Sequence, residues 1–403
     1  MTERTVPDWD PRDPSVLSDQ RRAYDEMRAR CPVAHSDFLG WSLFAHRDVV
    51  KAVRDTVTFR SATKHRAIPN GMDPREHTVY RQLLDPYFTS ERMAAFEPRS
   101  REVAAALLEP LLARGEAEFI DEFAGPFPHQ ALCAFVGWPV ADWNRVRGWT
   151  HGNQGVAFRQ DREAGAILAH EFSAYVTEIL DARRAGAGPA DDLMGELVGT
   201  KLGGEPLSNE DIVSLLRTWT AGHGTVASAV GIAALHLASD LDLQERLRRE
   251  PALIDRAIRE ILRADGPLVS NNRTATREVE VAGQTIRSGE RISLMWIAAN
   301  RDPEVFPDPD DVRLDREAED NLLFGAGIHR CLGEPLAMLN TRVALEELLS
   351  RTSRIELTST GAQPRDVYPS NGLRSLSITL TRPADGPRGP RRTMADIPPC
   401  GGR

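Results

Sequence analysis

FGAGIHRCLG, residues 324–333, decides how this chain is read. Cys331 stands between a glycine-rich turn and a helix expected to begin near Gly333-Glu334-Pro335. Proline suits a first helical turn, and Gly325, Gly327 and Gly333 permit tight backbone paths against a flat partner. Free amides at the helix start would stabilise a thiolate and lower its pKa. A sulfur so placed is either a nucleophile or a metal ligand. No partner base accompanies it, and Cys31, Cys133 and Cys400 are scattered with no CxxC pair. Single axial ligation of a metal carried by a cofactor fits best, and heme is the obvious case because the porphyrin supplies the other four ligands.

The rest of the chain is compatible with that. It has 403 residues, 41% of them apolar and 27% charged, with a formal charge of −9. This balance argues against a general nucleic-acid binder. The scattered cysteines fit neither a disulfide framework nor a structural zinc site, which points to a reducing, cytoplasmic setting. MTERTVPDWDPRDPS has no apolar h-region, so neither secretion nor membrane anchoring is expected.

Periodicity gives a mostly helical chain. Helices are expected at 17–31, 46–56, 77–84, 91–114, 160–184, 241–263 and 334–350, with a strand at 41–45. Between 273 and 296 the pattern alternates around AG and SG turns, as in a small antiparallel sheet. A proline- and aspartate-rich stretch without period comes next. No repeat or composition break marks a second domain. The expected organisation is a flexible arm at 1–16, one domain over 17–381, and a disordered tail over 382–403.

One helix is unusual. Ser208 with Asp211 three residues on makes a capping-box pattern, and the helix runs to about Ser239, roughly 45 Å. Inside it sits WTAGHGT, residues 219–225. Gly222 and Gly224 together cost about 2 kcal/mol relative to alanine unless something must approach the backbone. The hydroxyl of Thr225, one turn after Ala221, can reach carbonyls that the glycines loosen. His223 points about 200° away from Thr225 on a helical period.

FGAGIHRCLG resembles the heme-binding loop of cytochrome P450, F-G-x-G-x-H-x-C-x-G in full. Further segments resemble that family in its order: HTVYR (77–81), WTAGHGT, EILR (260–263), NNRTATREVEVAG and AANRDPEVFPDPDDVRLDR. The resemblance covers residues 10 to 381. It implies the P450 fold, mainly α with small β-sheets, a single domain whose long central helix crosses the heme. It also implies heme b as cofactor, O2 as co-substrate and NAD(P)H used only indirectly.

By that resemblance Cys331 is the proximal thiolate and the metal ligand, with Phe324 packed beside the sulfur. His77, Arg81, Arg273 and His329 clamp the heme propionates. Glu260 and Arg263 form a buried structural pair tied to the irregular stretch before the loop. Ala221 and Gly222 leave room for dioxygen, and Thr225 takes the place of the threonine that orders distal water. Gly224 departs from the pattern, since the family commonly has aspartate or glutamate there. Three readings stay open: ordered water replaces the acid, the substrate supplies the polar group, or the chemistry is one-electron coupling. His223 is a secondary candidate for a relay, should the helix bulge.

The implied activity is a monooxygenase inserting one oxygen atom of O2 into a medium-sized cyclic metabolite. The alternatives are radical coupling of aromatic substrates and a non-catalytic heme sensor or carrier. Trp219, Val269, Asn271 and Asn371 are the pocket candidates. No flavin or iron–sulfur segment is present, so electrons are expected from a ferredoxin or flavodoxin with its NAD(P)H-dependent reductase. Arg330 and Arg342 are candidates for the dock, and a monomer is expected.

Overall fold

The computed structural model describes residues 8–61, 66–359 and 361–383. Eight helices carry most of the candidate residues or pack against them: α1 (Pro74–Leu84), α2 (Ser90–Arg114), α3 (Pro126–Val136), α4 (Trp143–Arg159), α5 (Arg162–Arg184), α6 (Asn209–Ser239), α7 (Ile254–Ala264) and α8 (Glu334–Arg351). The chain gathers into two compact units. One takes the chain up to Leu83 with Arg256–Glu334 and Asp366–Asn371; the other takes Leu84–Asp255, Pro335–Arg365 and the chain from Gly372. Because their segments interleave, no composition break marks the division.

The first unit is built on five strands: β1 (Val33–Ser36), β2 (Gly40–Leu43), β3 (Phe59–Arg60), β4 (Ser270–Ala275) and β5 (Arg291–Met295). Their order is β1-β2-β5-β4-β3, with β2 and β5 parallel and the other pairs antiparallel. One face buries Leu43, Val49, Val53, Phe59, Ile292 and Leu294, each worth about 1.5–3 kcal/mol when fully removed from water. The arm expected at 1–16 is anchored from residue 8 onward. Trp9 packs edge-on against Tyr24 and Phe44, and the Asp8 amide donates to the His35 carbonyl.

The second unit is organised by α6. Ser208 caps it, its hydroxyl accepting from the Asp211 amide at 3.1 Å. The helix then runs 31 residues without interruption, so the bulge that would have re-aimed His223 is not formed. It is apolar and long enough to cross a membrane, but most of that apolar window is buried. Both α3 and α4 pack on it. At Gly231 a Cβ would stand 2.7 Å from Ile120 Cδ1, so the glycine lets the π-helical turn Ile120–Ala124 come close.

Two expectations fail for local reasons. The helix foreseen over 241–263 breaks at Pro251 into Leu241–Arg249, a 3-10 turn and α7, since proline removes a donor and clashes with the preceding turn. Helices α3 and α4 were not foreseen. PFPHQALCAFV is buried nearly all round and so has no stripe, and α4 carries Gly148, Gly152 and Gly155. Of the tail expected to be disordered, residues 384–403 lie outside the described residues. Arg382 is docked, donating to Glu109 at 2.8 Å and to the Leu112 carbonyl.

Candidate active site

The first unit holds the cysteine loop. Gly325 and Gly327 both have φ +67°, which L side chains rarely adopt. At Gly327 a Cβ would also press the Val53 carbonyl oxygen at 3.1 Å; Gly333 needs neither allowance. The Cys331 amide donates to the Phe324 carbonyl at 2.9 Å, which closes the turn. Cys331 is exposed as a residue, yet burial is the largest influence on its thiol and raises the pKa. A reachable side chain in crowded surroundings satisfies both observations. The Gly333 and Glu334 amides act the other way, hydrogen-bonding the sulfur and favouring thiolate, as does Arg81. Phe324 is half-buried, with the Arg259 guanidinium 5.7 Å from its ring and Arg259 paired to Glu334 at 3.0 Å.

The four cationic candidates come together in the same unit. The rings of His77 and His329 are 4.4 Å apart. Arg81 donates to the Arg330 carbonyl at 2.6 Å, and Arg273 donates to the carbonyl of Asn272. Burial first, then Arg273, His77 and Arg81, push the His329 pKa down to about 3; Asp73 opposes them. Burial likewise lowers Arg273 to about 10. Both ring nitrogens of His329 are buried without a hydrogen-bond partner. An imidazole whose N–H lacks a partner, set beside Arg81 and Arg273, is a site for an anion.

Beneath the loop, Arg263 and Glu260 are buried at 1% and 5% exposure. Arg263 Nε donates to Glu260 Oε2 at 2.8 Å, and its Nη groups donate to the Asn300, Pro309 and Asp311 carbonyls. Glu260 Oε1 accepts from the Arg313 amide and Arg316 Nε. The pair therefore fastens α7 to the irregular stretch that precedes the cysteine loop.

In the second unit α6 presents two different faces. Ala221 and Gly222 are exposed and Thr225 is partly so; a Cβ on Gly222 would meet nothing within 4 Å. These three lie on one side at 100° per residue. Trp219, Thr220, His223 and Gly224 are buried on the other side. His223 Nδ1 bonds the Trp219 carbonyl at 2.8 Å, and burial lowers its pKa to about 4. Among the described residues the Thr225 hydroxyl has no partner, so it does not back-bond to the helix as Thr218 and Ser228 do.

The family model for Cytochrome P450 matches residues 158–375. The chain belongs to the cytochrome P450 family. It is 31% identical over 379 residues to cyclomarin C epoxidase CymV of Salinispora arenicola, covering 88% of this chain and 94% of that protein. It is 32% identical to vitamin D(3) 25-hydroxylase of Pseudonocardia autotrophica, covering 91% and 94%. The crystal structure of CalO2 matches with a TM-score of 0.82 and 30% identity, over 94% of this chain and all of that one. These relatives make the chain a P450 monooxygenase.

Heme fits the residues present: an available thiol with helix-start amides, and a cationic cluster whose buried imidazole nitrogens lack partners. The pocket candidates of this P450 fare less uniformly. Val269 and Asn371 are fully buried, and Asn371 Nδ2 donates to Asp265 and the Gly266 carbonyl, so neither offers a surface to a substrate. Trp219 packs edge-on against Phe88 at 5.2 Å, as a core residue. Asn271 is exposed, its Oδ1 accepting from Trp296 Nε1. Arg342 is half-buried and paired with Glu97 and Glu346, and so is no free docking cation; Arg330 is exposed, paired with Glu334. Sequence reasoning missed Thr150 and Gln154 of α4, which face Gly224, and His129 of α3, which bonds Thr150.

Proposed function

We propose that heme b is held by the Cys331 thiolate, with its propionates on His77, Arg81, Arg273 and His329. When bound, heme activates O2 so that one oxygen atom enters an organic substrate. Phe324 shields the sulfur, and the Gly333 and Glu334 amides favour its deprotonated form against the opposing effect of burial. Thr225 Oγ1 offers a proton from the exposed face of α6, beside the small residues Ala221 and Gly222. The substrate is a medium-sized cyclic metabolite, a reading that rests on the solvent-facing Asn271 and on the family. Electrons reach this cytoplasmic protein from a ferredoxin or flavodoxin and its NAD(P)H-dependent reductase. The epoxidase and hydroxylase relatives favour oxygen insertion over radical coupling or a carrier role.

The observation that carries the reading is the convergence of amide-supported Cys331 with the partnerless His329 nitrogens in one unit. Reducing the purified protein under carbon monoxide tests it. A red-shifted Soret band diagnostic of thiolate ligation is expected, and Cys331→Ala should abolish it; purified protein without heme would overturn the proposal.

A further inference from the structure

Gly224 is where the family commonly carries an acid, and its surroundings show what stands there instead. A Cβ at this position would point at α4, 3.3 Å from Gln154 Nε2, 3.5 Å from Thr150 Cβ and 3.9 Å from Thr150 Oγ1. The glycine therefore admits the Gln154 carboxamide against the helix. Gln154 is half-buried, and among the described residues that carboxamide has no hydrogen-bond partner.

Behind Thr150 lies His129 of α3, fully buried. Its Nδ1 faces the Gly125 carbonyl at 2.7 Å and must carry the ring proton, which leaves Nε2 as an acceptor. Thr150 Oγ1 lies 3.0 Å from that Nε2 and 2.8 Å from the Arg147 carbonyl, so its single proton has two acceptors. By the same logic His223 donates Nδ1–H to the Trp219 carbonyl, and its buried Nε2 is an acceptor with no donor. Gln130 Oε1, next to His129, is another buried acceptor without a partner. His223 is near enough to disfavour charge on His129, as do His151 and Arg147. Both imidazoles are neutral near pH 7.

Polar groups left short of partners are what ordered water satisfies, given two to four partners. We propose that Gln154 and Thr150, the latter backed by His129, form a built hydration site at the junction of α3, α4 and α6. Water ordered there, accepting from Gln154 Nε2–H and donating to Thr150 Oγ1, both of which face the Gly224 Cβ position, replaces the acidic side chain absent at 224. His129 is a positioning residue that sets the Thr150 hydroxyl. This inference rests on the P450 reading and chooses among its routes for proton supply.

The test uses the heme-loaded protein and three variants: Gln154→Leu, Thr150→Val, and Gln154→Leu with Gly224→Asp. Crystallography of the parent should show a water within about 3.2 Å of both Gln154 and Thr150 Oγ1, lost in Gln154→Leu. Nitrogen-15 NMR of the reduced, carbon monoxide-bound protein should show His129 Nε2 unprotonated, its resonance shifted in Thr150→Val. With substrate, Gln154→Leu should lower product per NAD(P)H several-fold and raise the solvent isotope effect, while the substrate-induced spectral shift keeps its Kd. Gly224→Asp should restore the coupling. Absence of the water, or unchanged coupling in a Gln154→Leu protein that keeps the carbon monoxide band, would overturn the inference alone. Loss of that band from the parent protein would overturn the proposed function with it.

Discussion

Glu260 shows how much a single residue's setting exceeds its spacing. As an i,i+3 partner of Arg263 it reads as a surface pair worth a few tenths of a kcal/mol. In the structure it is buried and also accepts from Arg316 and the Arg313 amide. Removing one partner of such a pair strands buried charge at about 3–5 kcal/mol. Glu260→Ala should therefore lower the urea midpoint by that equivalent and reduce heme retention on purification; an unchanged midpoint would contradict the structural role. Thr225 has a different signature. Its hydroxyl stands on the open face of α6 without a protein partner, so Thr225→Ala should leave the midpoint unchanged. NAD(P)H consumption should instead separate from product formation, with peroxide rising. Equal coupling in the two proteins would remove Thr225 from the reaction.

At the scale of elements the cysteine loop was legible because its glycines and cysteine stand in a fixed order, and α6 because a cap and a long apolar run bound it. The structure adds a ranking that the letters do not carry. Gly325 and Gly327 share φ +67°, but only Gly327 also lies against the Val53 backbone. An alanine in the left-handed region costs about 1–2 kcal/mol. Gly325→Ala should cost that much, whereas Gly327→Ala should cost more and release heme faster, because the Val53 contact is backbone and cannot rotate away. Comparing unfolding midpoints and heme-loss rates checks the order; equal effects would count against it. Helices α3 and α4 were illegible for the opposite reason. One is buried on every side and the other is interrupted by glycines, so neither has a 3.6-residue stripe. With them went His129, Thr150 and Gln154, the residues that give Gly224 its meaning.

For the whole molecule, the motif order foretold the family, while the division into two interleaved units was invisible because three of its boundaries fall inside helices. Burial was the other hidden quantity. Asn371 and Arg342 read as a pocket lining and a docking charge, yet the folded chain uses both internally. Burial also predicts how stability responds to acid. His129 and His223 are pushed down to about 3 and about 4, chiefly by desolvation, against about 6.5 in an unfolded chain. Above pH 6.5 both states hold the imidazoles neutral, and the native state keeps its full stability. As pH falls from 6.5 toward 4 the unfolded chain takes up protons first. Stability then falls by about 1.4 kcal/mol per pH unit for each histidine. His223→Gln removes one of these contributions. Between pH 7.5 and pH 5 the variant should lose about 2 kcal/mol less than the parent, read from urea midpoints at each pH. Parallel curves would mean that His223 is already protonated, or solvated, in the folded protein.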